Sequence, residues 1–480
     1  MLSRLALGIV TIVVGAVGLA AVVHQLPWDE GGSFGAPGRE ESQRAGVSAA
    51  DLDSTGLEFE LRALRGNNPS GAGDTDDGSE VTITTPERMS VSSPEASDVA
   101  VGATTPPVPA TTTPPASATR RPSGSFDAVV RPGESIQAVV DGLPEGSWIL
   151  IGSGAHVRQQ VKPKSGMVFV GESGAVLDGQ NSTEYAFLAW SGEANNVTIR
   201  GLEVTRYVQA NAPHGAIYVA HVSGWIVEDC EIHHNAFSGI NVGSNSIVRS
   251  CFIHHNGRIG LKANGQDVLI RNNEISFNNP EEVADPLWEA GGIKFIESGG
   301  MVIRNNYIHD NNGSGIWADI DANNTVIESN VVENNTHAGI DFEISSGGVI
   351  RNNTVRFNGH GHTGGWMWGA GITIRGPHVL VYGNVIQGNY NGIALIQTGR
   401  GSQYDLRDVT VRDNLIVNSG QNGGVRSAGP SAIFDTSLFE ENEYRYDNID
   451  GDLWLWDNVV MSRDEWTSAG NDLSGTFSSG

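Results

Sequence analysis

Between Val197 and Ile416 one short pattern keeps returning: a hydrophobic strand, an Asn or its stand-in, then Ile or Val. The clearest copies are VLIRNNEI (268–275), MVIRNNYI (301–308), TVIESNVV (325–332) and GVIRNNTV (348–355). Looser copies are WIVEDCEI (225–232), SIVRSCFI (246–253), VLVYGNVI (379–386) and VTVRDNLI (409–416). The pivots are Cys230, Cys251, Asn273, Asn306, Asn330, Asn353, Asn384 and Asn414, spaced by 21 to 33 residues and mostly in the low twenties. Self-similarity at that period marks a solenoid, because one coil cannot bury its apolar face alone.

Residue chemistry selects the coil type. Each repeat is rich in Val and Ile with period-two alternation, and Gly and Asn separate the runs. No helical period is visible. About 22 residues suffice for three short strands and three turns, which stack as a parallel β-helix with rungs about 4.8 Å apart. The pivots then form an amide ladder. A second Asn column lies five residues on, at Asn235, Asn256, Asn278, Asn311, Asn335, Asn358 and Asn389. Both columns read as structural. His233 and His234 are expected to stack on His254 and His255.

On these repeats the chain resembles the pectate-lyase-like superfamily of secreted right-handed parallel β-helix proteins, over roughly 126–480. The segment VVRPGESIQAVVDGLPEGSWILIGSGAHV (129–157) resembles that superfamily's opening, in which Ser135–Leu143 would form a short helix capping the first rung. GMVFVGESGAVLDG (166–179) resembles a first full coil. DLWLWDNVVMSRDEWTSAGNDLSGT (452–476) resembles the closing segment. The expected fold is therefore an all-β, single-stranded right-handed parallel β-helix with an N-terminal helical cap. Its body is expected over 126–424, with a closing segment over 425–480. The resemblance leaves activity open, since this fold carries lyases, hydrolases, epimerases and binding proteins.

What precedes the solenoid bears on location. Leu5–Val23 is uncharged over 19 residues, preceded by Arg4 and followed by Asp29 and Glu30. That is just long enough to span a bilayer, and the charge order exports the remainder. Residues 1–23 read as a signal anchor or a cleaved signal peptide, either of which puts the β-helix outside the cytoplasm. Residues 24–125, acidic and ending in a Pro/Thr run (104–124), read as a disordered linker.

The chain carries 29 Lys+Arg against 55 Asp+Glu, a formal net charge of −26. That excludes nucleic acid as a general partner and leaves the membrane to the N-terminal segment. Two cysteines do not make a disulfide scaffold. Cys230 and Cys251 share the ladder column on consecutive coils, at a spacing that admits either a bond or two stacked thiols.

A different strand of each coil carries the chemistry. Its copies are GINVG (239–243), GLKAN (260–264), GIKFI (292–296), GIWAD (315–319), GIDFE (339–343), GITIR (371–375) and GIALI (392–396). Their second and fourth residues point inward, so the third and fifth face out. The outward columns read Asn241, Lys262, Lys294, Trp317, Asp341, Thr373, Ala394 and Gly243, Asn264, Ile296, Asp319, Glu343, Arg375, Ile396. Two stacked lysines therefore adjoin an exposed Trp317 and the carboxylates Asp319, Asp321, Asp341 and Glu343, with Arg375 beyond. The strand before the Asn ladder presents instead Glu228, Arg249, Arg271, Arg304, Glu328 and Arg351, a solvated face.

Two turns entering these strands are long, 279–291 and 359–370. Long loops in a compact fold bear function. They would wall a cleft and supply Trp288, Glu289, His360, His362, Trp366 and Trp368 to a sugar.

Three functions fit. In β-elimination of an acidic, uronate-containing polysaccharide, Lys294 or Lys262 is the base, since like charge lowers a lysine pKa. Asp319, Asp321, Asp341 and Glu343 would hold Ca²⁺, which takes several oxygen ligands. In glycoside hydrolysis or epimerisation, Asp319, Asp341 and Glu343 supply paired carboxylates at reachable spacings. In the third, a tethered surface protein binds glycan, or only presents a rigid rod, and does no chemistry. In any of the three the protein is expected to be a monomer, with Trp317, Arg375, Glu289, His360, His362, Trp366 and Trp368 as the glycan contacts. No nucleotide or organic cofactor is indicated.

Overall fold

The computed structural model describes residues 9–14, 19–24 and 125–480, except 210, 212–213, 362–366 and 429–432. The expected linker and most of the expected anchor thus lie outside the described residues. Within 1–23 the two described stretches, Ile9–Val14 and Leu19–His24, pair as antiparallel strands. Among the described residues no helix is long and apolar enough to cross a membrane.

Residues 125–480 hold a solenoid of three sheets, of 13, 13 and 12 strands among the described residues, parallel except where Val459–Met461 pairs antiparallel with Trp454–Trp456 at one edge. The first sheet begins at Ala128–Val130 and holds the strands before the Asn ladder, such as Leu269–Arg271 and Val302–Arg304. The second holds those just after it, such as Glu274–Ser276 and Tyr307–His309. The third holds the Gly-Ile strands, among them Ser238–Val242, Ile259–Gln266, Gly291–Gly299, Ser314–Ala318, Ile340–Glu343 and Ala370–Arg375. Its rungs pair in the expected register: Asn241 with Lys262, Lys262 with Lys294, Lys294 with Trp317, Trp317 with Asp341.

The ladders set the coil's corners. Between the first two sheets the chain turns through a left-handed residue such as Asn272, Asn305 or Ser329, followed by the buried Asn. Asn306 Nδ2 donates to Asn330 Oδ1 at 2.9 Å, and Asn330 Nδ2 to Asn353 Oδ1 at 3.0 Å. Each Asn also bonds backbone of the neighbouring coils, as Asn330 Nδ2 does to Ile303 O at 2.9 Å. The second column behaves alike: Asn311 Nδ2 donates to Asn335 Oδ1 and Asn335 Nδ2 to Asn358 Oδ1, both at 2.9 Å. The buried corner polar groups are thereby satisfied, as an apolar interior requires.

The Gly that opens the third-sheet strands has a packing cause. A Cβ on Gly315 would lie 2.5 Å from Val332 Cγ1, 2.7 Å from Gly339 O and 2.9 Å from Asn335 Nδ2. The second ladder and the next rung leave no room for a side chain there.

Ile240, Leu261, Ile293, Ile316, Ile340, Ile372 and Ile393 point into one continuous core with Val242, Ala263, Phe295, Ala318, Phe342, Ile374 and Leu395. At the start, a helix at Ile136–Gly142 buries Ile136 and Val140 in that core, with Ser135 Oγ accepting from Ala138 N at 3.2 Å. At the far end the coils continue in register through Leu438–Glu440, Glu443–Tyr446 and Thr476–Ser479. Cys230 and Cys251 are buried free thiols, so the stacked-thiol alternative holds. The histidine columns stack as expected, His233 on His254 at 4.9 Å and His234 on His255 at 5.1 Å.

Candidate functional site

Alternation places the third and fifth residues of the Gly-Ile strands on the outer face, as expected. They are not at the surface, however. Lys262, Lys294, Asp319, Asp341, Glu343 and Arg375 are all buried, and Trp317, expected to be exposed, is 5% exposed. Loops lie over this face, and their side chains complete an ion-paired layer beneath them.

The layer runs across the rungs. Lys262 Nζ donates to Glu289 Oε2 at 2.9 Å, and Lys294 Nζ lies 3.6 Å from Glu289 Oε1. Lys294 Nζ also donates to Trp288 O at 2.5 Å, pairs with Asp319 Oδ2 at 3.1 Å and lies 3.7 Å from the centre of the Trp317 ring. Trp317 Nε1 donates to Glu343 Oε2 at 3.3 Å. Arg375 holds both remaining carboxylates, donating to Glu343 Oε1 at 2.7 Å and through Nε to Asp341 Oδ1 at 3.1 Å, with a second bond to Asp341. The Trp368 ring centre lies 4.9 Å from the Arg375 guanidinium carbon.

Burial dominates the electrostatics. It pushes the Lys262 pKa below the ordinary lysine value, helped by Lys294 and Arg258 and opposed by Glu289. It pushes Asp341 and Glu343 up, against the pull of Arg375. Asp319 Oδ1 is buried without a partner.

This arrangement corrects several expectations. The four carboxylates do not gather as an ion site. Asp321 is exposed and accepts from Tyr404 OH at 2.6 Å, while the other three are held by Lys294 and Arg375. Among the described residues no group of three or more His, Cys, Asp or Glu side chains is disposed for a metal. A donor set already neutralised by buried cations does not fit Ca²⁺. The Asp341–Glu343 pair shares one arginine. His360 sits apart, its Nε2 bonded to Gly388 O at 2.9 Å. His362 and Trp366 lie outside the described residues. Trp288, on the first long loop, is 70% exposed. The first sheet's outer face is less solvated than expected, because Arg200 and Arg249 bury Glu228 between them.

Other contributors were not anticipated. The connection after Asn391–Gln397 brings Arg400 Nη2 to 4.0 Å from Glu343 Oε1 and carries Tyr404. Toward the N-terminal rungs the outer column continues through Tyr218, which pairs with Asn241. Around it stand Tyr185, Trp190, His214 and His221. Tyr185 OH bonds His214 Nδ1 at 2.8 Å, Tyr218 OH bonds His221 Nε2 at 2.9 Å, and His214 stacks on Tyr218 at 3.8 Å. Burial pushes the His214 pKa down, with His221 and Lys262 adding to it. Asn241 Oδ1, between this cluster and Lys262, is buried without a partner. The signal was present in AIYVA (216–220), a copy of the strand pattern lacking its leading Gly.

Three stacked sheets, two Asn ladders and one outer face roofed by loops define a right-handed parallel β-helix. The family described as a right handed beta helix region matches residues 191–376. The A-module of the Azotobacter vinelandii mannuronan C-5 epimerase AlgE6 is similar at 16% identity and a TM-score of 0.51, covering 72% of this chain and 93% of that one. XylC in complex with xylose is similar at 13% identity and 0.50, covering 68% and 83%. A mannuronic acid specific polysaccharide family 6 lyase from human gut microbiota gives 16% identity and 0.48, covering 70% and 84%. Identities this low speak for the fold alone. No curated protein matches the sequence.

Proposed function

We propose that the chain is an extracytoplasmic, carbohydrate-active β-helix protein that binds an acidic polysaccharide on the outer face of the third sheet. In this reading it cleaves the chain by β-elimination at a uronate unit, with Lys262 as base. One observation carries this above others: a buried lysine with a depressed pKa stands where the ion-paired layer meets the aromatic cluster. A lowered pKa enlarges the fraction of neutral, proton-accepting amine relative to an exposed lysine. The neutral amine would take the proton on the carbon beside the uronate carboxylate. Those electrons form the new C=C bond as the bond to the leaving oxygen breaks, and water protonates that oxygen. Arg258, whose Nε donates to Glu289 O at 3.3 Å, is the cation available to the substrate carboxylate. Entry requires Glu289 to release Lys262, and its loop exposes Val283, Leu287 and Trp288.

In the same proposal residues 1–23 anchor the protein or are cleaved on export, the following linker spaces it from the membrane, and the helix at Ile136–Gly142 caps the first rung of a monomer. No step is routed through calcium.

A second reading, glycan binding without catalysis, is favoured by a specific observation: Lys294, Asp319, Asp341, Glu343 and Arg375 are all committed to one another. Paired-carboxylate hydrolysis or epimerisation has less support for the same reason.

The test is to incubate the full-length chain with uronate polysaccharides, with and without Ca²⁺, following both ultraviolet absorbance of unsaturated uronate and new reducing ends. Absorbance that vanishes in a folded Lys262→Ala variant supports the lyase. Reducing ends without absorbance move the assignment to hydrolysis. Binding with neither signal leaves the non-catalytic reading.

A further inference from the structure

Beside the aromatic cluster, where the third sheet turns toward the first, lies an open pocket of about 330 Å³. Its polar lining comes from Asn195, His221, Ser223, Ser244, Asn264 and Glu297. An aromatic platform stands beside the pocket and reaches its lining through His221. Trp190, 39% exposed, lies nearly parallel to His221, with 17° between the planes and 6.2 Å between ring centres. Tyr218 fixes both rings, packing edge-on to Trp190 at 5.2 Å and bonding His221 Nε2 at 2.9 Å. The Trp190 backbone is held in turn by Glu193 Oε2, which accepts from its N–H at 2.6 Å.

Amide, hydroxyl and carboxylate groups beside an apolar ring face match a sugar, which has an apolar face and a rim of hydroxyls. The sign of the charge narrows the class. The lining holds one carboxylate, Glu297, and no lysine or arginine. A uronate carboxylate would meet Glu297 with no cation to offset it, whereas sugar hydroxyls can donate to Glu297. Position narrows it further. Asn264 is two residues beyond Lys262 on the strand Ile259–Gln266, on the same face, so the two lie about 6.6 Å apart along it.

We infer that this pocket is a subsite for a neutral sugar unit, held face-on by Trp190 and hydrogen-bonded by Asn264 and Glu297. The polymer is then a heteropolysaccharide in which a neutral unit neighbours the uronate placed at Lys262, and that last element rests on the function proposed above.

The experiment titrates the full-length chain with neutral xylo-, manno- and gluco-hexasaccharides and with an oligouronate, read by calorimetry and tryptophan fluorescence. At least one neutral series is expected to bind and to change the fluorescence. Trp190→Ala should weaken it by about tenfold, as loss of an aromatic anchor does, while leaving oligouronate affinity unchanged. Glu297→Gln, on an exposed side chain, should weaken the same ligand without perturbing the fold. The inference is overturned if no neutral series binds, or if both variants bind it as the wild type does. The two proposals separate cleanly. Unsaturated products without neutral-sugar binding would remove the subsite and leave the lyase, and neutral-sugar binding without such products would do the reverse.

Discussion

Lys294 lies over the indole of Trp317 on the next rung, its Nζ 3.7 Å from the ring centre, and is only 2% exposed. Asp319 and Glu289 neutralise it from either side. A buried charge so held is expensive to strand. Lys294→Ala should therefore cost about 3–5 kcal/mol, because it leaves Asp319 buried without its cation. Asp319→Asn combined with Lys294→Met should recover much of that loss. Urea midpoints at unchanged m-value measure both.

The second ladder and the Gly column should fail together. Gly315→Ala forces a methyl against Asn335 Nδ2 and Val332, in a place with no slack. Overpacking of this kind costs about 1–3 kcal/mol. Asn335→Ala leaves Asn311 and Asn358 each short of a partner and should cost a similar ~1–3 kcal/mol. The double variant should cost less than the sum, since the two residues touch. Thermal unfolding of the four proteins checks this.

The histidine columns should make the protein sensitive to acid. His233, His234 and His255 have depressed pKa values, first from partial desolvation and next because His254 adjoins each. A depressed group contributes stability above its unfolded value of about 6.5, and that contribution is lost as pH falls through the folded value. His309 runs the other way. Burial is its largest influence and pushes down, but the bonds to Glu274 and Asp310 together outweigh it and raise the pKa. Its contribution is full below about 6.5 and fades as pH rises through the raised value. The melting temperature should fall on acidification from pH 7 to about 5. His234→Gln with His255→Gln should flatten that fall, and His309→Gln should steepen it.

The thiols should be silent in the folded protein. Cys230 and Cys251 are buried in the ladder column, and burial pushes the Cys251 pKa well up. A thiol reagent should modify neither at neutral pH under native conditions and both in denaturant, with mass spectrometry counting the adducts. Native modification of either would show that the ladder opens locally at these coils.

The sequence alone determined the solenoid. Asn, or Cys in two coils, at a fixed place in each repeat, Gly before the inward Ile or Leu and alternation along each strand specify which residues stack, which enter the core and which face out. The observed register reproduces those columns from Asn241 to Ala394. These features are legible because each is a local constraint repeated at every rung, and a slip of one residue would expose the whole core face. Only the tertiary structure decided what becomes of the outer face. Alternation says that Trp317 and Lys294 point away from the core, but not that Glu289 and the loops bury them. Tyr404 meets Asp321 across 83 residues of chain, and Trp190 meets His221 only because two coils bring them together. Such contacts have no period to read. They are set by how irregular loops fold back on a regular surface, and that depends on packing rather than on the repeat.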